Sequence, residues 1–175
     1  MPRAGPPAVP DDPAEARRAA YATALGWLAG REMSAARVRE RLLRRGFPAV
    51  VVDDALARLA AAGAVDDCRA ALAAARTLVS VRQRGRHRVG RELERLGFGR
   101  EEAAAALESA LAEVDEQAVI DRLVRARLGG RQALDDAAGY RRVFSALLRR
   151  GFPADRIRIA LRPYWDRRAS EPDDV

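Results

Sequence analysis

The chain has no lysine and no asparagine, one cysteine, one histidine, few aromatics and no long apolar run. Each absence closes a class of function. A lone cysteine, Cys68, can form neither an internal disulfide nor a thiolate zinc cluster, which fits a reducing, cytoplasmic setting. Arginine or an acidic residue interrupts every candidate run, so nothing reaches the roughly eighteen apolar residues of a membrane span. The first residues lack an apolar core with a cleavage site, and no secretory signal is expected. The only histidine, His87, sits among arginines, and no phosphate-cradling glycine loop, nucleophile elbow or dinucleotide fingerprint is present. Paired carboxylates at Asp11-Asp12, Asp53-Asp54, Asp66-Asp67, Glu101-Glu102, Asp135-Asp136 and Asp173-Asp174 mark helix starts, turns or tails, and none has metal-ligand spacing. The expectation is a protein that is not an enzyme and carries no metal or cofactor.

What is present is arginine. The net charge of +7 rests on it alone. Preference for arginine over lysine follows from GC-rich coding, but coding bias does not set the excess of base over acid. The placement is in blocks. Residues 69–100 hold nine arginines against Glu92 and Glu94, and residues 141–168 hold nine against Asp155 and Asp166. Between them, residues 101–136 hold nine carboxylates against four arginines. Such blocks build a basic face beside an acidic one and favour an electrostatic role.

A phrase recurs. Leu42-Leu43-Arg44-Arg45-Gly46-Phe47-Pro48-Ala49 returns unchanged at residues 147–154, and a weaker copy runs from Leu93 through Gly97-Phe98. The Gly-Phe pairs are 51 and 54 residues apart, which predicts a unit of about fifty residues in three copies. Strand signals are weak, whereas alanine, leucine, arginine and glutamate give high helix propensity. Each copy reads as three helices: 14–28, 34–45 and 49–62; then from Asp66 or Asp67 to about 83, 87–96 and 100–113; then 115–128, 136–150 and 154–162. Gly97 reads as a left-handed helix stop, and Pro48 and Pro153 suit helix entries. Val38, Val89 and Val143, then Leu42, Leu93 and Leu147, then Leu56, Leu107 and Leu161 hold matching positions and are expected in the core. Leu96 is expected on the Val89-Leu93 face, and Tyr164-Trp165 as a packing cap on the last repeat. The fold expected is all-α: a flexible Pro-rich arm over 1–13, three-helix repeats over 14–65, 66–114 and 115–168, and an acidic tail over 169–175, forming an elongated, curved array.

The strongest binding candidate is the run from Arg82 to Arg91. On a helix, Arg84, Arg88, Arg91 and Arg95 share a stripe away from the Val89 face, Arg84 only if the helix extends back that far. Guanidinium forks hold phosphates or carboxylates in pairs, so the stripe fits nucleic acid and an acidic protein groove alike. His87, at a helix start, suits phosphate contact or plain exposure. No aromatic is interleaved with the run, which disfavours stacking on single-stranded bases. Cys68 reads as a small, partly buried residue.

The three-helix units, the Leu-x-x-x-Gly-Phe junctions, Gly63-Ala64-Val65-Asp66-Asp67, and Arg82-x-x-Gly85-x-x-Arg88-Val89-x-x-Glu92-Leu93 leading to Gly97-Phe98 together resemble the bacterial RecX regulators. The similarity covers about residues 14–168. Where that family usually carries an aromatic after the acidic pair, this chain has Cys68-Arg69-Ala70-Ala71-Leu72. The resemblance implies a non-enzymatic, cytoplasmic, monomeric modulator of recombinational DNA repair and the SOS response. Such a protein lodges in the groove of the RecA filament on DNA and opposes its ATP hydrolysis and strand exchange. It implies contact with the RecA filament, or with nearby single- or double-stranded DNA, through Arg82, Arg84, Arg86, His87, Arg88, Arg91 and Arg95. Arg141, Arg142, Arg149 and Arg150 form a second patch at the far end. The other reading of the same residues is a sequence-nonspecific DNA-binding protein that acts without RecA.

Overall fold

The computed structural model describes residues 9–134 and 136–165, and regular structure there is entirely helical. Nine α-helices follow one another among the described residues: α1 (Pro13–Leu28), α2 (Ala35–Arg44), α3 (Ala49–Ala61), α4 (Asp67–Arg76), α5 (Arg86–Arg95), α6 (Arg100–Ala112), α7 (Glu116–Leu128), α8 (Ala137–Arg149) and α9 (Ala154–Leu161). A π-helical turn, Thr77–Val81, prolongs α4, and a 3-10 turn, Arg162–Tyr164, follows α9. Among the described residues no helix is long and apolar enough to cross a membrane, and no cluster of histidine, cysteine and carboxylate could hold a metal ion.

The recurring Leu-x-x-x-Gly-Phe phrase is one helix stop built three times. In each copy the glycine is left-handed, with φ of 94° at Gly46, 86° at Gly97 and 91° at Gly151. The amide of Phe47 donates to the carbonyl of Leu42, Phe98 to Leu93, and Phe152 to Leu147, at 3.2–3.3 Å. Those bonds satisfy carbonyls the helix end would otherwise leave open, and they fold each phenylalanine back over the leucine it bonds. Phe47, Phe98 and Phe152 are all buried. Starts are fixed as locally. Asp12, Ser34, Asp115 and Asp136 each accept from the amide three residues on, and Pro48 and Pro153 stand at helix entries.

The chain packs as two compact units, and the division cuts through the middle helices. The first comprises the described residues through Ala73 together with Leu93–Ala103, and the second comprises Ala74–Glu92 and the described residues from Ala104 on. In the first, Ala16, Ala20 and Ala24 of α1 meet Val38 and Leu42 of α2 and Val52, Ala55 and Leu59 of α3. Val9 packs on this core; residues 1–8 of the expected N-terminal arm lie outside the described residues, as does the acidic tail. In the second, Ile120 and Val124 of α7 meet Val143 and Leu147 of α8 and Ile157 and Leu161 of α9. Tyr140 and Trp165 close one edge with ring centroids 4.8 Å apart, and the amide of Leu134 donates to the carbonyl of Tyr164 at 2.7 Å, which gives Tyr164-Trp165 its packing role.

Several expected core positions differ. Leu161 is fully buried, but Leu56 and Leu107 are half-buried. The fully matched interior positions on the third helices are Val52, Ala103 and Ile157, and then Ala55, Ala106 and Ala160. Leu96 is 41% exposed rather than core, because α5 ends at Arg95 and the chain turns before Leu96 can join the Val89 face. Cys68 is exposed, not partly buried: it lies in the first turn of α4, and the buried positions of that helix are Ala70, Ala71 and Ala75.

Candidate binding surface

The basic surface is set by how helix ends meet inside each unit. In the first unit, the hydroxyl of Ser34, which caps α2, donates to the carbonyl of Leu96 at 2.6 Å. A Cβ added at Gly97 would come within 3.0 Å of that hydroxyl and 3.1 Å of the Ala36 Cβ. The carboxylate of Asp67 accepts from the amide of Ala35 at 2.8 Å, so Asp67 supports α2 while Asp66 caps its own α4 through Arg69.

The second unit repeats the joint, with main-chain groups where the first uses a capping hydroxyl. The residue in the place of Ser34 is Gly85, which has no side chain to cap with. Its amide donates to the carbonyl of Arg150 at 3.0 Å, and that of His87 donates to the carbonyl of Gly151 at 3.1 Å. The positive end of α5 therefore meets the carbonyls that finish α8, and each satisfies groups that the other helix end leaves unpaired. The guanidinium of Arg88 seals the joint by donating to the carbonyl of Arg149 at 3.2 Å.

That joint corrects the expected layout. Arg149 and Arg150 are not a patch remote from the Arg82–Arg91 run; they lie against Gly85, His87 and Arg88. Arg84 does not extend the α5 stripe. It stands before the helix, where Gln83 is left-handed at φ 49° and the amide of Arg84 bonds back to Leu78. Arg95 lies at the other end of α5, within the first unit.

Compensation across these residues is thin. Arg88 pairs with Glu92 at 2.7 Å and Arg86 reaches Glu108 at 3.7 Å. Among the described residues, Arg82, Arg84, Arg91, Arg141, Arg142, Arg149 and Arg150 form no ion pair, and neither does Arg95. The Nε atoms of Arg84 and Arg86 are buried without a hydrogen-bond partner, although both side chains remain partly accessible. Arg82, His87, Arg91, Arg141, Arg142 and Arg149 are exposed. Guanidiniums left in this condition hold oxyanions through paired hydrogen bonds, whether phosphate or carboxylate.

A basic cluster in the first unit has no counterpart among the sequence expectations. Arg41 lies 4.1 Å above the ring of Trp27 and donates to the Met33 sulfur. Its guanidinium is held below the usual arginine range by partial burial and then by the like charges of Arg31, Arg37 and Arg44. The signal was the helical spacing of Arg37, Arg41 and Arg44, hidden because the intervening Glu40, which pairs with both Arg37 and Arg44, lowers the local charge count.

Comparisons with known proteins agree with this architecture. Residues 20–59 match the family model described as RecX, first three-helix domain. Over 145 residues, 81% of this chain, the sequence is 34% identical to a regulatory protein RecX from Geobacillus kaustophilus (strain HTA426), of which it spans 52%. The chain thus spans about half the length of that relative. Two crystal structures share the fold, each with a TM-score of 0.73 over 85% of this chain: a regulatory protein RecX at 19% identity, 72% of it covered, and RecX from Lactobacillus salivarius at 17% identity, 96% of it covered.

Proposed function

The chain belongs to the RecX family of regulatory proteins, and from that premise we propose that it binds the RecA filament on DNA and inhibits its ATP hydrolysis and strand exchange. Its role is regulatory and not catalytic: it restrains recombinational repair and the SOS response in the cytoplasm, where the filament forms. The observation that carries the reading is the α5–α8 joint, which gathers Arg82, Arg84, Arg86, His87 and Arg88 beside Arg149 and Arg150 with two carboxylates to answer them. Arg91, Arg141 and Arg142 add exposed charge along α5 and α8, and Arg95 is exposed in the first unit. Charge of this density is costly to hold uncompensated and is relieved by an acidic groove or by phosphates.

The test is single-stranded-DNA-dependent ATP hydrolysis by the cognate RecA, titrated with this protein below one copy per RecA. Inhibition at low ratios that excess DNA does not relieve is the expected result. The other reading, a DNA-binding protein independent of RecA, draws on the same unpaired arginines. It gains if ATP hydrolysis is untouched while the protein binds bare DNA with an affinity that falls steeply with salt, as counterion release requires.

A further inference from the structure

Arg127 and Arg131 belong to the net-acidic block of the sequence and to none of the basic runs, yet they stand with Arg142 and Arg149 around a cavity of about 210 Å³. We propose that this cavity docks a short acidic peptide segment of a protein partner, one apolar side chain on its floor and flanking carboxylates held by the four arginines.

The rim is cationic. Arg142 and Arg149 are two turns apart on α8, and Arg127 and Arg131 approach from the end of α7 and the loop after it. All four are exposed, and none pairs with a carboxylate among the described residues. Asp136 lies close by, but one of its oxygens is held at 2.6 Å by the amide of Gly139, where it caps α8. Four like charges around one opening repel one another, so an incoming anion is favoured by relief as well as by attraction.

The floor is apolar. Leu128, Leu134 and Val143 are buried beneath the opening, and Ala146 is half-buried beside them. A free inorganic anion is too small to cover that floor. A nucleic-acid strand would bring bases to the floor, but the lining holds no aromatic side chain on which a base could stack. The volume lies below the range of about 300–1,000 Å³ typical of small-molecule pockets and suits one large side chain. A peptide bearing carboxylates around a leucine-like residue answers both halves of the site, because guanidinium forks match carboxylates and the apolar chain leaves water.

The inference does not depend on the filament reading, because binding is measured with peptide alone. The probe is fluorescent Asp-Glu-Leu-Asp-Glu, followed by polarisation against the full chain at low salt. Controls are the same peptide with alanine for leucine, an amide version (Asn-Gln-Leu-Asn-Gln), and a fluorescent oligothymidylate. The leucine peptide is expected to bind about tenfold more tightly than either peptide control. The R131A/R142A pair of exposed substitutions should cost it about tenfold, while R18A on α1 changes nothing. Equal binding of the leucine and alanine peptides overturns the proposal, as does no binding, or a loss with R18A equal to that with R131A/R142A. If R131A/R142A weakens the oligothymidylate and leaves the peptide unaffected, the cavity is a nucleic-acid site and the proposal falls. Circular dichroism of each variant shows that the helices persist, which keeps a lost signal attributable to the rim.

Discussion

Gly85 and Gly151 meet backbone to backbone: a Cβ on Gly85 would strike the main chain of Gly151 and Phe152, and one on Gly151 would strike Arg88. Gly151 is also left-handed at φ 91°, so two separate reasons confine that position to glycine. Each of Gly85→Ala and Gly151→Ala is therefore expected to destabilise the protein, by about 1–3 kcal/mol for the forced overlap and by about 1–2 kcal/mol more at Gly151 for the left-handed conformation. Urea-denaturation midpoints measure both. An unchanged midpoint in Gly85→Ala would mean that the joint is loose in solution.

Gly90 gives the opposite sign on the same helix. It lies inside α5, and an added Cβ meets nothing nearer than the Leu107 Cδ2 at 3.9 Å, an ordinary contact. Gly90→Ala should stabilise the protein by about 0.5–1 kcal/mol, since alanine costs less backbone entropy in a helix. The same denaturation series reads it.

Gln83 is a non-glycine residue held left-handed, at φ 49°, where the π-helical turn gives way to Gly85. An L-residue there bears a steric cost of about 1–2 kcal/mol. Gln83→Gly should recover part of it and raise the melting temperature, with the helix content by circular dichroism unchanged. A lower melting temperature would show that the Gln83 side chain contributes more than its backbone costs.

Arg76 and Glu113 are joined by a two-pronged contact, with the Arg76 Nε 3.0 Å from both Glu113 oxygens. The hydrogen bond from Arg76 holds the Glu113 carboxyl below its usual range and raises the Arg76 guanidinium. A carboxyl depressed in the folded state stabilises above its unfolded pKa, and the contribution is lost as pH falls through the folded value. Wild type should therefore exceed Glu113→Gln in stability at neutral pH, and the two should converge on acidification below the ordinary carboxylate range. Both groups are well exposed, so added salt should narrow the gap at neutral pH.

On function, Arg82→Glu with Arg91→Glu reverses two exposed charges that form no ion pair among the described residues. On the proposed filament reading, about tenfold more protein should be needed to inhibit RecA ATP hydrolysis, with the fold intact. If the arginines hold phosphates, the double variant also flattens the salt dependence of DNA binding, by about 0.9 in log–log slope for each duplex phosphate no longer neutralised. Inhibition equal to wild type would remove both residues from the surface.

Much of the fold was legible because its signals are local. The Leu-x-x-x-Gly-Phe stop announces a left-handed glycine and a buried phenylalanine wherever it occurs, and helices α1 to α3 and α7 to α9 start and end within a residue or so of their sequence expectation. What failed was information that sequence does not hold locally. Alanine is apolar on every face of these helices, so the interior places of Ala55, Ala106 and Ala160 could not be told from their exposed neighbours. The helix begun by α4 runs on to Val81, within two residues of its expected end near 83, but composition gives no sign that the hydrogen bonds of Thr77–Val81 widen to the π pattern. The candidate surface was half readable. Its arginines are visible as charge blocks, but the α5–α8 joint is made of amides and carbonyls, which every residue carries. Arg127 and Arg131 were missed for a related reason: their surroundings in sequence are acidic, and their surroundings in space are Arg142 and Arg149.

The α5–α8 joint also bears on the order in which the protein is made. Arg88 and the carbonyl it grips are 61 residues apart in the chain. A nascent chain that has emerged only as far as α7 already displays Arg82 to Arg91, yet the first turn of α5 still lacks the carbonyls that finish it. Domains fold as they leave the ribosome, amino-terminal parts first, so the basic surface takes its final form only when Gly151 has been translated. An unfinished chain carries the charge without the shape.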